Sequence, residues 1–183
     1  MKEEKYIDNL GEELKEKYKE ALDLLEKRQL EQSEELLLKI KKENPDFVPL
    51  YNKLGIINIR RKEYEEARKA LTQAIDKDNE YVAAITNLGS LMREMGDREK
   101  AKEFYQKAIE IDPEYGLAHN NLGVIYREEG NYVKSVKSLK KARKYGGYHV
   151  NMSSDKPFYK EPGCLFVIFI FIAVLAFLYF VLT

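Results

Sequence analysis

The sequence predicts an all-α fold, an α-solenoid of four 34-residue helix-turn-helix repeats followed by one C-terminal transmembrane helix. Two observations predict the solenoid and a third the span. The first is self-similarity. Leu88-Gly89 returns 34 residues away as Leu54-Gly55 and Leu122-Gly123, Ala101 as Ala67 and Ser135, and Ala108 as Ala74 and Ala142. A fixed period of this length marks stacked helical units, none of which can bury its apolar face without a neighbour. The second is punctuation: Gly96-Asp97 and Gly130-Asn131 break the apolar pattern within repeats, and Asn44-Pro45 and Asp112-Pro113 break it between them. The third is the run CLFVIFIFIAVLAFLYFVLT, 20 residues from Cys164 to Thr183 without a charge. As a helix it reaches about 30 Å, the thickness of a bilayer's hydrocarbon core.

Residues 1–13 form a charged N-terminal extension. No basic stretch followed by an apolar core is present, so no secretory signal is expected. The extension is expected to fray into the first repeat helix, with Gly11 weakening any continuous helix by about 1 kcal/mol relative to Ala. The repeats are assigned to 14–47, 48–81, 82–115 and 116–149, each with a helix A and a helix B. Gly96 ends one helix A and Asp97 caps the following helix B, accepting an orphan backbone N–H. Pro45 and Pro113 stop helix B by pushing the preceding residue out of the α region; Asn79 and Gly147 stand in their place in the other copies.

Small residues recur where helices must approach closely: Gly55, Gly89 and Gly123 on helix A, with Ala21 in the first copy, and Ala67, Ala101, Ser135 and Ser33 on helix B. Leu71, Tyr105 and Leu139 fill the space beside them, and Ala74, Ala108 and Ala142 face the next helix A. Beyond Tyr145, Gly, Ser and Pro concentrate; residues 150–163 are read as a linker and 164–183 as the span. In a bilayer the backbone must satisfy itself internally, which selects the helix despite many β-branched residues.

This set of positions resembles the tetratricopeptide repeat family over about residues 14–149: Leu-Gly on helix A, a large residue after it (Tyr126, with Met92 and Asn58 less typical), then Ala, a large residue, Ala and Pro. The first copy departs, with Glu20-Ala21 in place of Leu-Gly. The resemblance implies a right-handed superhelix whose concave face is lined by helix A and binds a protein or extended peptide. The concave positions would be Tyr18, Lys19 and Leu22, then Asn52, Lys53, Ile56 and Arg60, then Thr86, Asn87, Ser90 and Arg93, and finally Asn120, Asn121, Val124 and Arg127. A carboxamide offers a donor and an acceptor together, which suits gripping a peptide backbone, and Asn87 and Asn121 are expected to form a short ladder. The clamp that some relatives use for the carboxylate tails of chaperones is not supported. Of the matching positions Asn52, Ile56, Asn87, Leu117 and Asn121, only Asn87 fits it.

Other chemistry is scarce. One cysteine, Cys164, excludes a disulfide framework, and two histidines, His119 and His149, are too few for a metal cluster. His119 reads as a packing residue. No nucleophile–base pair, phosphate loop or paired carboxylates stand out, so neither enzyme activity nor a cofactor is expected. The net charge of zero hides an asymmetry: residues 1–115 carry 22 Lys and Arg against 27 Asp and Glu, and residues 116–149 carry 7 against 2. The basic residues Arg127, Lys134, Lys137, Lys140, Lys141, Arg143 and Lys144 precede the apolar run. They therefore point to an anionic membrane surface, where each contributes about 1 kcal/mol, rather than to nucleic acid. Lys156 and Lys160 precede the run and no basic residue follows it, which places the repeats on the cytoplasmic side of a single-pass, tail-anchored protein; in a bacterium that is the plasma membrane. The expected function is a membrane-anchored adaptor. The alternative is a structural subunit that assembles through the convex face or an uncapped last helix.

Overall fold

A computed structural model describes residues 3–146, which hold nine helices and no strand. They are α1 (Glu4–Ile7), α2 (Glu12–Glu26), α3 (Leu30–Glu43), α4 (Val48–Arg61), α5 (Tyr64–Lys77), α6 (Val82–Glu94), α7 (Arg98–Ile111), α8 (Gly116–Glu128) and α9 (Tyr132–Lys144). Helices α2 to α9 pack as four hairpins, and α4, α6 and α8 start one period apart. Each later A helix packs on the preceding B helix. Successive A helices also touch, α4 with α6 and α6 with α8, more extensively than successive B helices, so the A helices form the inner face of the stack.

Two turns recur. Within every hairpin one residue takes a left-handed conformation, at φ 60° for Arg28, 63° for Lys62, 89° for Gly96 and 75° for Gly130. Between hairpins the chain leaves the helix through an extended residue, Asn44, Asp78 or Asp112, with φ between −135° and −146°. Their carbonyls accept the N–H groups of Phe47, Tyr81 and Tyr115 at 3.3, 3.1 and 3.0 Å. Proline follows Asn44 and Asp112 but not Asp78, so the exit geometry does not need it.

The small-residue rows are contact points. A Cβ on Gly55 would lie 2.6 Å from Leu71 Cγ, and one on Gly123 would lie 2.9 Å from Leu139 Cγ. Where helix B carries serine, its hydroxyl closes the gap: Ser33 Oγ donates to the Ala21 carbonyl at 2.7 Å and Ser135 Oγ to that of Gly123 at 2.8 Å. Ala74, Ala108 and Ala142 are fully buried, Ala108 against Ile85 and Ala118.

The N-terminal extension is docked rather than frayed. Gly11, at ψ 153°, separates α1 from α2, while Leu10 is buried and Tyr6 and Ile7 pack onto the core. The linker 150–163 and the span 164–183 lie outside the described residues. Among the described residues no helix is long and apolar enough to cross a membrane.

Candidate functional site

The inner face carries a chain of polar side chains. Asn87 Nδ2 donates to Asn52 Oδ1 at 2.7 Å. Asn121 Nδ2 and the Tyr105 hydroxyl both donate to Ser90 Oγ at 3.2 Å, and Ser90 Oγ donates to the Thr86 carbonyl at 3.2 Å. Asn120 Nδ2 reaches Asn121 Oδ1 at 3.5 Å. The expected Asn87–Asn121 ladder does not form, because equivalent positions on neighbouring A helices stand about an interaxial distance apart, 8–10 Å. Each carboxamide instead reaches back to a residue of the preceding A helix at a different offset. Asn52 and Thr86 are buried, 2% and 0% exposed, so they form the floor of this face rather than its contact surface. Asn87, Ser90, Asn120 and Asn121 are half-buried.

The cationic positions divide. Exposed Arg60 donates through Nη1 to the Leu25 carbonyl at 2.5 Å, satisfying a C-terminal carbonyl of α2. Arg93 stands 3.8 Å from the Glu94 carboxylate, and Arg127 is exposed. Lys53 is engaged by the N-terminal segment, its Nζ lying 3.1 Å from Glu3 Oε1 and 3.3 Å from Oε2. The same carboxylate accepts a hydrogen bond from the Tyr18 hydroxyl. Tyr6 donates to Asp78 Oδ2, which also pairs with Lys5 Nζ at 3.1 Å.

An aromatic row lies under these contacts, since Phe47, Tyr81 and Tyr115 each precede an A helix at the same place in the repeat. Burial raises the phenol of Tyr18 well above its usual range and that of Tyr81 likewise, with the Glu3 carboxylate adding to both. Tyr115 is pushed up to about 12, by burial first and then by Glu3 and Asp112. All three remain protonated at neutral pH. Burial alone would raise Asp78, but Tyr6, the Glu80 N–H and Lys5 together hold it below the usual carboxylate range. Sequence reasoning missed this docking of the N-terminal segment. The available signal was the spacing of Glu3, Tyr6, Ile7 and Leu10, which marks one helical face.

Elsewhere, His119 is buried, donates through Nε2 to the Pro113 carbonyl at 2.8 Å and stacks on Tyr145. It repeats Tyr51, whose hydroxyl donates to the Pro45 carbonyl at 2.7 Å. The basic residues Lys134, Lys137, Lys140, Lys141, Arg143 and Lys144 are all exposed on α9. Lys134, Lys137 and Lys141 rim an open cleft of about 380 Å³ whose other walls include Ile109, Leu122 and Tyr126. Among the described residues no group of His, Cys, Asp and Glu is placed to hold a metal ion.

A family model described as tetratricopeptide repeat matches residues 46–114, and a second with the same description matches residues 104–137. No curated protein is significantly similar in sequence. Among solved structures, a crystal structure of MamA is 28% identical with a TM-score of 0.58, covering 73% of this chain and 78% of that one. A tetratricopeptide repeat protein from Parabacteroides merdae is 26% identical with a TM-score of 0.57, covering 76% of this chain and 56% of its own. MamA residues from 41 to the end, from Desulfovibrio magneticus RS-1, are 20% identical with a TM-score of 0.57, over 76% of each chain, and show the fold alone. Sequence period, hairpin geometry and these matches agree: residues 46–137 of this chain are tetratricopeptide repeats.

Proposed function

We propose that this chain is a membrane-held adaptor: its repeats bind a protein segment on the inner face, and residues 164–183 keep that partner at the bilayer. The observation that carries the reading is the run of half-buried polar groups on successive A helices, Asn87, Ser90, Asn120 and Asn121. They are positioned by neighbours on a buried floor and retain donors and acceptors for a peptide backbone. Tetratricopeptide repeats serve protein–protein interaction. The uncharged run supports the anchor, and Lys156 and Lys160 before it favour a cytoplasmic position for the repeats, hence the plasma membrane in a bacterium. The reading includes no catalytic role.

The test is photo-crosslinking of the full-length protein in its own membranes beside an Asn87→Ala/Asn121→Ala variant of unchanged secondary structure. A partner captured by the wild type and lost from the variant is the expected result. One retained by both rejects the inner face. A specific observation favours a second reading in that event: Tyr132, Val133 and Val136 on α9 are 67%, 83% and 52% exposed, whereas the repeat before carries Glu99 and Lys102 at the places of Val133 and Val136. An apolar face in place of a charged one suits assembly into a larger complex, and Val133→Glu/Val136→Lys would remove a partner held there.

A further inference from the structure

The N-terminal segment occupies the inner face in the manner of a ligand, and its chemistry describes one. Glu3, Tyr6, Ile7 and Leu10 stand at i, i+3, i+4 and i+7. Glu3 places its carboxylate between the Tyr18 hydroxyl and Lys53 Nζ. Tyr6 meets Tyr81 edge-on, ring centroids 5.6 Å apart and planes at 86°. The aromatic contact has an internal precedent, since Tyr18 meets Phe47 in the same way at 4.8 Å and 90°. One period later those two positions are Asn52 and Tyr81. Asn52 has no ring to lay against Tyr81, and Tyr6 supplies it. The buried Thr86 hydroxyl makes no hydrogen bond of its own, which leaves polar capacity on this wall.

The attachment is also slight. It is one turn of helix without a side-chain N-cap, with Glu4, Lys5, Asp8 and Asn9 exposed. It joins α2 at Gly11, where nothing lies within 4 Å of a would-be Cβ. A single turn has almost no intrinsic helical stability, so the segment is held by its side-chain anchors and can leave when they are outcompeted.

We propose that residues 3–10 are a tethered occupant of the inner face, and that a partner binds by displacing them with an amphipathic helical segment presenting a carboxylate, an aromatic three residues on, and aliphatic residues at the fourth and seventh places. This rests on the reading of the inner face as a protein-binding surface, and adds what it takes and what holds binding in check. Anchors at this spacing are how a helix seats in a groove. A short tether sets an effective concentration of about a millimolar, against which any incoming segment must compete.

The experiment is equilibrium binding of a fluorescein-labelled peptide with the sequence of residues 3–10, EEKYIDNL, to the full-length protein in detergent micelles. Glu3→Ala/Tyr6→Ala should bind the peptide about tenfold or more tighter than the wild type, because the tethered competitor is gone; adding Lys53→Ala should lose most of that gain. Equal binding to wild type and released variant overturns the tethered occupant, and so does exchange of the segment between two copies in a wild-type dimer. No binding to either overturns the acidic–aromatic specificity. Should the double variant melt early, Glu3→Lys, which sets like charge against Lys53 and keeps Tyr6, allows the same comparison. Failure of the inner-face reading looks different. There the crosslinked partner ignores Asn87→Ala/Asn121→Ala. A partner that depends on the asparagines but is captured no better by the released variant leaves that reading standing and overturns the check on binding.

Discussion

At Gly89 a Cβ would lie 2.7 and 2.9 Å from two carbons of the Tyr105 ring and 3.1 Å from Phe104 Cβ. A ring cannot fold aside like the end of a lysine, so Gly89→Ala must move α7 away from α6, an overpacking that costs about 1–3 kcal/mol. The better helix propensity of alanine returns about 1 kcal/mol. The expected result is an unfolding free energy lowered by up to about 2 kcal/mol, read as a lower urea midpoint at unchanged slope; an unchanged midpoint would show slack between the helices. Tyr115 gives a pH test. Its folded pKa of about 12 exceeds the ordinary phenol value, so its contribution is fully present below about pH 10 and is lost as pH climbs to about 12. Tyr115→Phe should therefore flatten the fall in stability between about pH 10 and 12, by roughly 3 kcal/mol at most, in urea titrations at each pH. The two sites differ in how far sequence exposes them. Gly89 is legible because it recurs at a fixed period beside leucine. The burial of Asn52 and Thr86 is not, because polar residue types signal surface and only the packed A helices turn them into floor.

Among the elements, the turn inside each hairpin separates what the chain needs from what its residues prefer. Arg28 and Lys62 hold the same left-handed position as Gly96 and Gly130. For a residue with a Cβ that conformation costs about 1–2 kcal/mol, while glycine costs about 0.5–1 kcal/mol in unfolded-state entropy. Lys62→Gly should therefore stabilise the array by about 0.5–1 kcal/mol in chemical denaturation, and a loss would mean the Lys62 side chain contributes contacts of its own. The following residue caps helix B in the last two hairpins only, where Asp97 accepts the Lys100 N–H at 3.1 Å and Asn131 that of Lys134 at 3.2 Å. Asn131→Ala should cost about 1 kcal/mol, seen as faster hydrogen exchange in the first turn of α9. Gly96-Asp97 and Gly130-Asn131 could be read from sequence because both residues are turn formers. Arg28-Gln29 and Lys62-Glu63 carry no such signal, and there the period alone locates the turn, with packing of the hairpin enforcing a conformation the residues disfavour.

Across the whole array, charge is sorted by position. Earlier hairpins neutralise their cations locally, Arg61 against Glu31 and Glu34, Lys77 against Asp46, and Lys102 against Glu99 and Glu129. On α9 Lys134, Lys137, Lys140, Lys141, Arg143 and Lys144 have no ion pair among the described residues; Lys134 and Lys144 instead lie over the Tyr126 and Tyr145 rings, at 5.4 and 4.8 Å. That sorting was legible in the sequence, because charge counts need no geometry. The docked N-terminal segment was not, because its charged composition masks four anchors whose partners lie up to some seventy residues away, as Asp78 does from Tyr6. An unneutralised basic helix ahead of an apolar run is suited to an anionic leaflet, with about 1 kcal/mol for each cation near the surface, screened beyond a Debye length. Full-length protein reconstituted into anionic vesicles should then show slower amide exchange in α9 than in zwitterionic vesicles. The difference should vanish in about 0.5 M salt, where the Debye length falls to a few ångströms. It should shrink also for Lys137→Glu/Lys140→Glu/Lys144→Glu, while exchange in α4 and α6 stays the same in both lipids. Equal protection of α9 in the two lipids would instead make these cations an ordinary solvated face, and would leave the proposed anchoring to the apolar run alone.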